Sequence, residues 1–198
     1  SVKLVLDLRG QQSCLNIEAQ VFRTKAMYDV EKLAQRLRSL TDQAHDDVGA
    51  AVAILLKVEG EDLSLLLVKR AVNPSDPWSG HMAFPGGRKH GRDEDIVETV
   101  VRETLEETGV SLGEYRFLGN LDVQTSGRAG SPLRILPFVF LCDAKPKVTL
   151  NRELRSWFWV SVEELKRGKG TAVAEQNEVP AYVVKGETVW GLTFRIAS

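Results

Sequence analysis

The chain has 198 residues, of which 43% are hydrophobic and 27% charged, and its net charge at neutral pH is −1. This is the composition of an ordinary soluble globular protein, long enough for one domain with a real core and a small appendage. It lacks the basic excess that nucleic-acid binders carry, so an anionic substrate would need local cations or a metal. Cys14 and Cys142 stand in no metal-like spacing, and reduced, partly buried thiols are expected. No apolar run approaches the ~20 residues that span a bilayer. The first residues, SVKLVLDLRG, reach charge too early for a secretion signal, and the last, FRIAS, are no peroxisomal address. A cytoplasmic enzyme or binding protein, with neither nucleic-acid nor membrane partner, is the expectation.

In chain order, VKLVLDL (2–8) and CLNIEAQVF (14–22) alternate apolar and polar residues around RGQQ and predict a hairpin. Apolar residues at 27, 30, 33, 37 and 40 predict a helix over 27–40. DQAHDDVG (42–49) is a polar linker. AAVAILLKV (50–58) and LSLLLVKRA (63–71) form a strongly apolar hairpin. Residues 72–95 are rich in Pro and Gly, a long loop of the kind that carries function. A helix follows to Thr108, with Asp93 and Asp95 at its start and Gly109 as its stop. Strands are expected near 115–125, 134–142 and 156–162, then a helix over 162–168 and a closing hairpin over 182–196. The domain is therefore read as residues 46–198, an α/β sandwich with a mixed central sheet. Residues 1–45 are a hairpin–helix extension, either a homodimer contact or a cover for a sheet edge.

RETLEETG (102–109) breaks the rules of helix stability, because Glu103, Glu106 and Glu107 crowd the last turn. Like charges at i,i+4 repel, and carboxylates there face the negative end of the helix dipole. At about 100° per residue, the three carboxylates share an arc of roughly 100°. Val97, Val101 and Leu105 fall about 120° to 200° from Glu103 and are expected to be the buried stripe. A solvated acidic face explains most glutamate clusters. Here Arg102 is the only cation nearby, and a hard divalent ion such as Mg²⁺ or Mn²⁺ would reverse the energetics. Upstream, FPGG (84–87) supplies a rigid proline and two glycines that let the backbone approach a ligand.

Residues 86–110 resemble the signature of the Nudix hydrolases, G-x5-E-x7-R-E-U-x-E-E-x-G-U with U bulky and apolar. Arg102, Glu103, Glu106, Glu107, Gly109 and Val110 match it one for one, and Glu94 stands at the right distance before Arg102. Two departures are a one-residue insertion between Gly87 and Glu94, and Thr104 at an apolar position. The resemblance implies an α/β/α Nudix sandwich and Mg²⁺- or Mn²⁺-dependent attack of water on the pyrophosphate of a nucleoside diphosphate derivative. It implies Glu103 and Glu107 as principal ligands, Glu106 as a further ligand or its supporting partner, and Arg102 as their orienter. A carbonyl of Gly86 or Gly87 completes the set. The general base stays open, with Asp122, Glu153, Glu175 and Glu178 as later candidates beside the signature's own glutamates.

Residues 66–88 also resemble the extra motif of the coenzyme A pyrophosphatase branch, through Leu66, Leu67, Arg70, Ala71, Gly80, Phe84, Pro85, Gly86 and Gly87. Val68 replaces its Thr, and Ser75 stands about where it has a second Arg. VWGLT (189–193) and ELRSWFWVSVEEL (153–165) are similar to the same branch, whose members split coenzyme A into 3′,5′-ADP and 4′-phosphopantetheine. Arg70, His81, Phe84, Gly86 and Trp78 are accordingly the expected substrate contacts. For Arg70 a snorkelling structural role weighs equally, and His81 and Trp78 serve as well to pack the loop. Trp157, Trp159 and Trp190 are expected in the core, and Arg128 in solvent. Two alternatives stand beside coenzyme A: a pyrophosphatase for ADP-ribose, dinucleotides or nucleoside triphosphates, and an inactive nucleotide sensor of the same fold.

Overall fold

The computed structural model describes residues 25–38, 47–74, 76, 78–126, 132–174 and 176–198. The hairpin expected over 2–22, with Cys14, lies outside the described residues, as do Ser75, Arg128 and Glu175.

Two strands form the spine, β1 (Ala50–Glu59) and β2 (Asp62–Arg70), paired antiparallel around a two-residue turn. β1 is apolar on both faces because both are covered. Ala51, Ala53 and Leu55 join one buried cluster and Ile54 and Leu56 the other. The long loop that follows holds two short strands, β3 (Met82–Ala83) and β4 (Gly86–Arg88). β3 lies against β2, and β4 pairs antiparallel with β1 through Val52–Gly86, Ala51–Gly87 and Ala50–Arg88. β5 (Arg116–Asn120) and β6 (Gln124–Ser126) line β7 (Leu133–Cys142), which runs parallel to β1, and β8 (Leu154–Ser161) pairs with β2. The result is one mixed sheet ordered β3-β2-β1-β7-β5.

Helix α1 (Lys25–Arg38) buries Val30, Ala34 and Leu37 on the Ile54–Leu56 face. Helix α2 (Ile96–Thr108) lies on the opposite face, where Val100 meets Ala51, Ala53 and Leu55. The architecture is thus the α/β/α sandwich with a mixed central sheet that the resemblance implied. Cys142 is a free thiol in the core, and burial pushes it up to about 12, which makes it inert. Trp157 and Trp159 pack partly buried against the α2-side cluster.

The C-terminal segment departs from expectation. β9 (Lys169–Ala174), β10 (Asn177–Val184) and β11 (Glu187–Trp190) make a second antiparallel sheet after helix α3 (Val162–Arg167). Only β10–β11 match the closing hairpin expected over 182–196, because residues Gly191–Ala197 form helix α4. Tertiary contacts override the β-propensity of LTFRI. Phe194 stacks on Tyr182 with ring centroids 4.7 Å apart, and the Thr193 hydroxyl donates to the Met82 carbonyl at 3.0 Å. No helix among the described residues is long and apolar enough to cross a membrane.

Candidate metal and pyrophosphate site

Helix α2 begins where Asp95 accepts the Glu98 N–H at 2.8 Å, and it stops at Gly109 in the left-handed region. The stripe expected to be buried is not. Val97, Val101 and Leu105 are 48%, 39% and 49% exposed, while Thr99, Val100, Thr104, Glu107 and Thr108 face the sheet. The acidic arc therefore overlaps the inward face. The physical reason is the strand opposite. β4 offers backbone at Gly86 and Gly87 where a strand with side chains would offer apolar surface, so carboxylates, not leucines, meet it.

Glu107 is 4% exposed, and its Oε2 accepts the Gly86 N–H at 2.9 Å. Burial pushes its carboxyl up to about 7; the Gly86 bond and the charge of Arg70 oppose that rise, whereas Glu103 and Glu153 add to it. Glu103 lies against Gly87 so closely that a Cβ there would sit 2.5 Å from its carboxylate. At Gly86 a Cβ would strike the Ala51 carbonyl at 2.2 Å, and its φ of 143° suits glycine alone. Both glycines of FPGG are thus required, one by the strand and one by the glutamate. Glu106 stays outside, within 3.3 Å of Arg102 and 3.5 Å of Arg92.

Arg102 is clamped on both sides. Its Nε and Nη2 donate to the two oxygens of Asp93, each at 2.9 Å, and Nη1 donates to Glu103 at 2.7 Å. The Arg102 hydrogen bonds hold the Asp93 carboxyl far below the usual range, helped by the His90 N–H and the Thr99 hydroxyl. Sequence spacing had pointed to Glu94 as the acid before Arg102. Glu94 is exposed and donates its own N–H to Glu98 at 2.6 Å. Asp93, separated from Gly87 by five residues, makes the contact, so the inserted residue falls between Asp93 and Arg102. Counting from the arginine alone had hidden this.

Of the expected substrate contacts, Arg70 reaches the site electrostatically and is fixed by Asp76 at 2.8 Å. Trp78 is exposed beside it, its N–H bonded to Asp76 at 3.0 Å. His81 packs edge-on against Trp190 at 4.9 Å. Phe84 is not at the surface; it lies in the apolar core with Met82. Among the later acids, Glu153 is the one whose charge acts on Glu107. It is brought there by backbone bonds from Thr149 N–H to the Thr108 carbonyl (2.8 Å) and from Asn151 N–H to the Glu107 carbonyl (3.1 Å), which also satisfy the end of α2.

Hard carboxylate oxygens gathered against backbone suit Mg²⁺ or Mn²⁺, and a carboxyl raised by burial and, less, by neighbouring anions gains from a cation. Among the described residues no three Asp, Glu, His or Cys side chains are grouped so that they could hold a metal ion by themselves.

A sequence profile of the NUDIX domain matches residues 47–181. An uncharacterized Schizosaccharomyces pombe protein is 39% identical over 107 residues, 51% of this chain and 32% of that protein, so the chain spans about a third of this relative's length. The human mitochondrial coenzyme A diphosphatase NUDT8 is 24% identical over 137 residues, 66% of this chain and 58% of its own. A Caenorhabditis elegans Ap4A hydrolase has a similar fold, with a TM-score of 0.51 and 20% identity over 61% of this chain and 84% of that one. Because the profile covers most of the sheet and the whole of the glutamate helix, the chain belongs to the Nudix hydrolase superfamily.

Proposed function

We propose that the protein hydrolyses the pyrophosphate bond of a nucleoside diphosphate derivative, namely coenzyme A or its derivatives, to 3′,5′-ADP and 4′-phosphopantetheine. The observation that carries this reading is the meeting of Glu103 and Glu107 with the backbone of Gly86 and Gly87. Glu103 and Glu107 would hold Mg²⁺ or Mn²⁺, with Glu106 and a Gly86 or Gly87 carbonyl as further donors. When bound, the ion supplies Lewis acidity that neutralises phosphate charge and lowers the pKa of water.

The chain's residues do the rest. Arg102, locked by Asp93, fixes the Glu103 carboxylate by a charge-assisted bond. Arg70 binds a phosphate oxygen. Trp78 offers a stacking surface to the base. We assign Glu153 as acceptor of the proton of the attacking water, since the Asn151 N–H bond to the Glu107 carbonyl holds its segment against the end of the glutamate helix.

Coenzyme A is favoured by the human relative's activity and by contact between two separate stretches of the resemblance. His81 meets Trp190, and Met82 accepts the Thr193 hydroxyl bond. The same proposal takes 46–198 as the hydrolase domain of a cytoplasmic enzyme and 1–45 as its extension.

The test is a panel of coenzyme A, ADP-ribose, NADH, diadenosine polyphosphates and nucleoside triphosphates with Mg²⁺ or Mn²⁺, read by product identity. Coenzyme A should be cut to the two named products. Cleavage of another member alone reassigns the substrate, and cleavage of none favours a nucleotide sensor.

A further inference from the structure

A cleft of about 560 Å³ opens beside the glutamate cradle, a volume typical of small-molecule sites. Its walls include two arginines, Arg70 and Arg152, and two acids, Asp76 and Glu153. Asp76 is taken up by Arg70, whose Nε it accepts at 2.8 Å. Glu153 is exposed, and its charge also bears on Glu107. Arg152 has no ion pair among the described residues and is exposed.

Its backbone, by contrast, is fixed at both ends. Asn151 donates its N–H to the Glu107 carbonyl at 3.1 Å and accepts the Glu153 N–H on its Oδ1 at 2.9 Å. The Glu153 carbonyl accepts the Ala71 N–H at 2.8 Å. Arg152 is therefore strapped between the end of α2 and the end of β2, at the mouth of the cleft. A long cationic side chain on a rigid base, with its donors unclaimed, is suited to an anion. Arg70 is the arginine whose charge bears on Glu107 and so serves the pyrophosphate. Arg152 faces the cleft beyond it.

We propose that Arg152 forms a phosphate subsite that takes a phosphate monoester carried by the substrate outside its pyrophosphate linkage. The substrate class is then a nucleoside diphosphate derivative with a further phosphate on its nucleoside. The proposal rests on the pyrophosphatase reading above, but its first test does not need turnover.

Binding of 3′,5′-ADP and of 5′-AMP, which differ only by the extra phosphate, is measured calorimetrically on the intact protein and on Arg152→Ala and Arg152→Lys, each checked by thermal melting. 3′,5′-ADP should bind about tenfold more tightly, Arg152→Ala should remove that preference and Arg152→Lys should keep part of it. Equal binding by the unaltered protein, or a preference that survives Arg152→Ala, overturns the subsite. In turnover, Arg152→Ala should lower the kcat/KM ratio of coenzyme A to dephospho-coenzyme A about tenfold, chiefly through KM. If neither coenzyme is cut while the Arg152-dependent preference holds, the substrate reading fails and the subsite stands. If both are cut and the ratio does not move, the subsite fails and the reading stands.

Discussion

Arg102 and Asp93 share two parallel hydrogen bonds of 2.9 Å, and the Asp93 side chain in that pair is 1% exposed. Fork-to-carboxylate geometry of this kind fixes direction as well as distance. Asp93→Ala would leave the guanidinium without its partner in a largely dry place, and should cost about 3 kcal/mol of stability. It should also lower turnover, because Glu103 loses its orienter. Glu94→Ala should change stability by no more than about 0.5 kcal/mol. Chemical denaturation of both variants checks which acid does the work.

Gly87→Ala separates activity from folding. Its Cβ would lie 2.5 Å from the Glu103 carboxylate, a side chain that can swing away. The fold should persist, while displacement of Glu103 lowers kcat by about 100-fold. At Gly86 the clash is with the β1 backbone and the φ is positive, so Gly86→Ala should instead lose the fold. Circular dichroism beside an activity assay distinguishes the two.

Thr104 is buried, and its hydroxyl has no hydrogen-bond partner among the described residues. Thr104→Val keeps the shape and removes the unsatisfied group. It should raise stability by about 1 kcal/mol, with turnover within about twofold of the original. A loss of stability would mean that the hydroxyl has a partner in solution.

The ion-free protein should weaken as pH rises through neutrality. Glu107 is raised from an ordinary 4.5 to about 7, so folding favours its protonated form. That contribution is fully present below about 4.5 and lost as pH passes about 7, to a total on the order of 3 kcal/mol. Asp93 acts in the opposite sense and in another window. Its lowered carboxyl stabilises the fold above its ordinary 3.8, and the benefit is lost only in stronger acid. Melting curves from pH 5 to 8 should slope downward without ion and flatten in Glu107→Gln. Added Mg²⁺ or Mn²⁺ should stabilise more at pH 8 than at pH 5, because the ion needs the ionised carboxylate.

Much of this was readable in advance, for reasons that differ by element. The β1–β2 hairpin and the stop of α2 were legible because unbroken apolar runs and a glycine act locally. The inward face of α2 was not. A wheel ranks residues by hydropathy, and Val97, Val101 and Leu105 outrank Thr104 and Thr108, yet the partner strand is bare backbone. Arg152 was invisible for another reason: its role depends on a bond between Asn151 and Glu107 that no spacing rule links. Helix α4 was missed because Thr193 and Phe194 take their conformation from Met82 and Tyr182, far away in sequence.

The contacts that build the cradle are short in sequence. Gly86 and Glu107 lie 21 positions apart, and Asp93 and Arg102 nine. Closing such loops costs little chain entropy, whereas the parallel β1–β7 ladder must bring Ala50 to Ile135. Arg152 and Glu153, which line the cleft, follow that ladder in sequence. If folding follows loop length, the meeting of Glu103 and Glu107 with Gly86 and Gly87 forms before the 149–153 segment is in place. A chain arrested between those stages would keep the glutamate cradle and lack the cleft beside it.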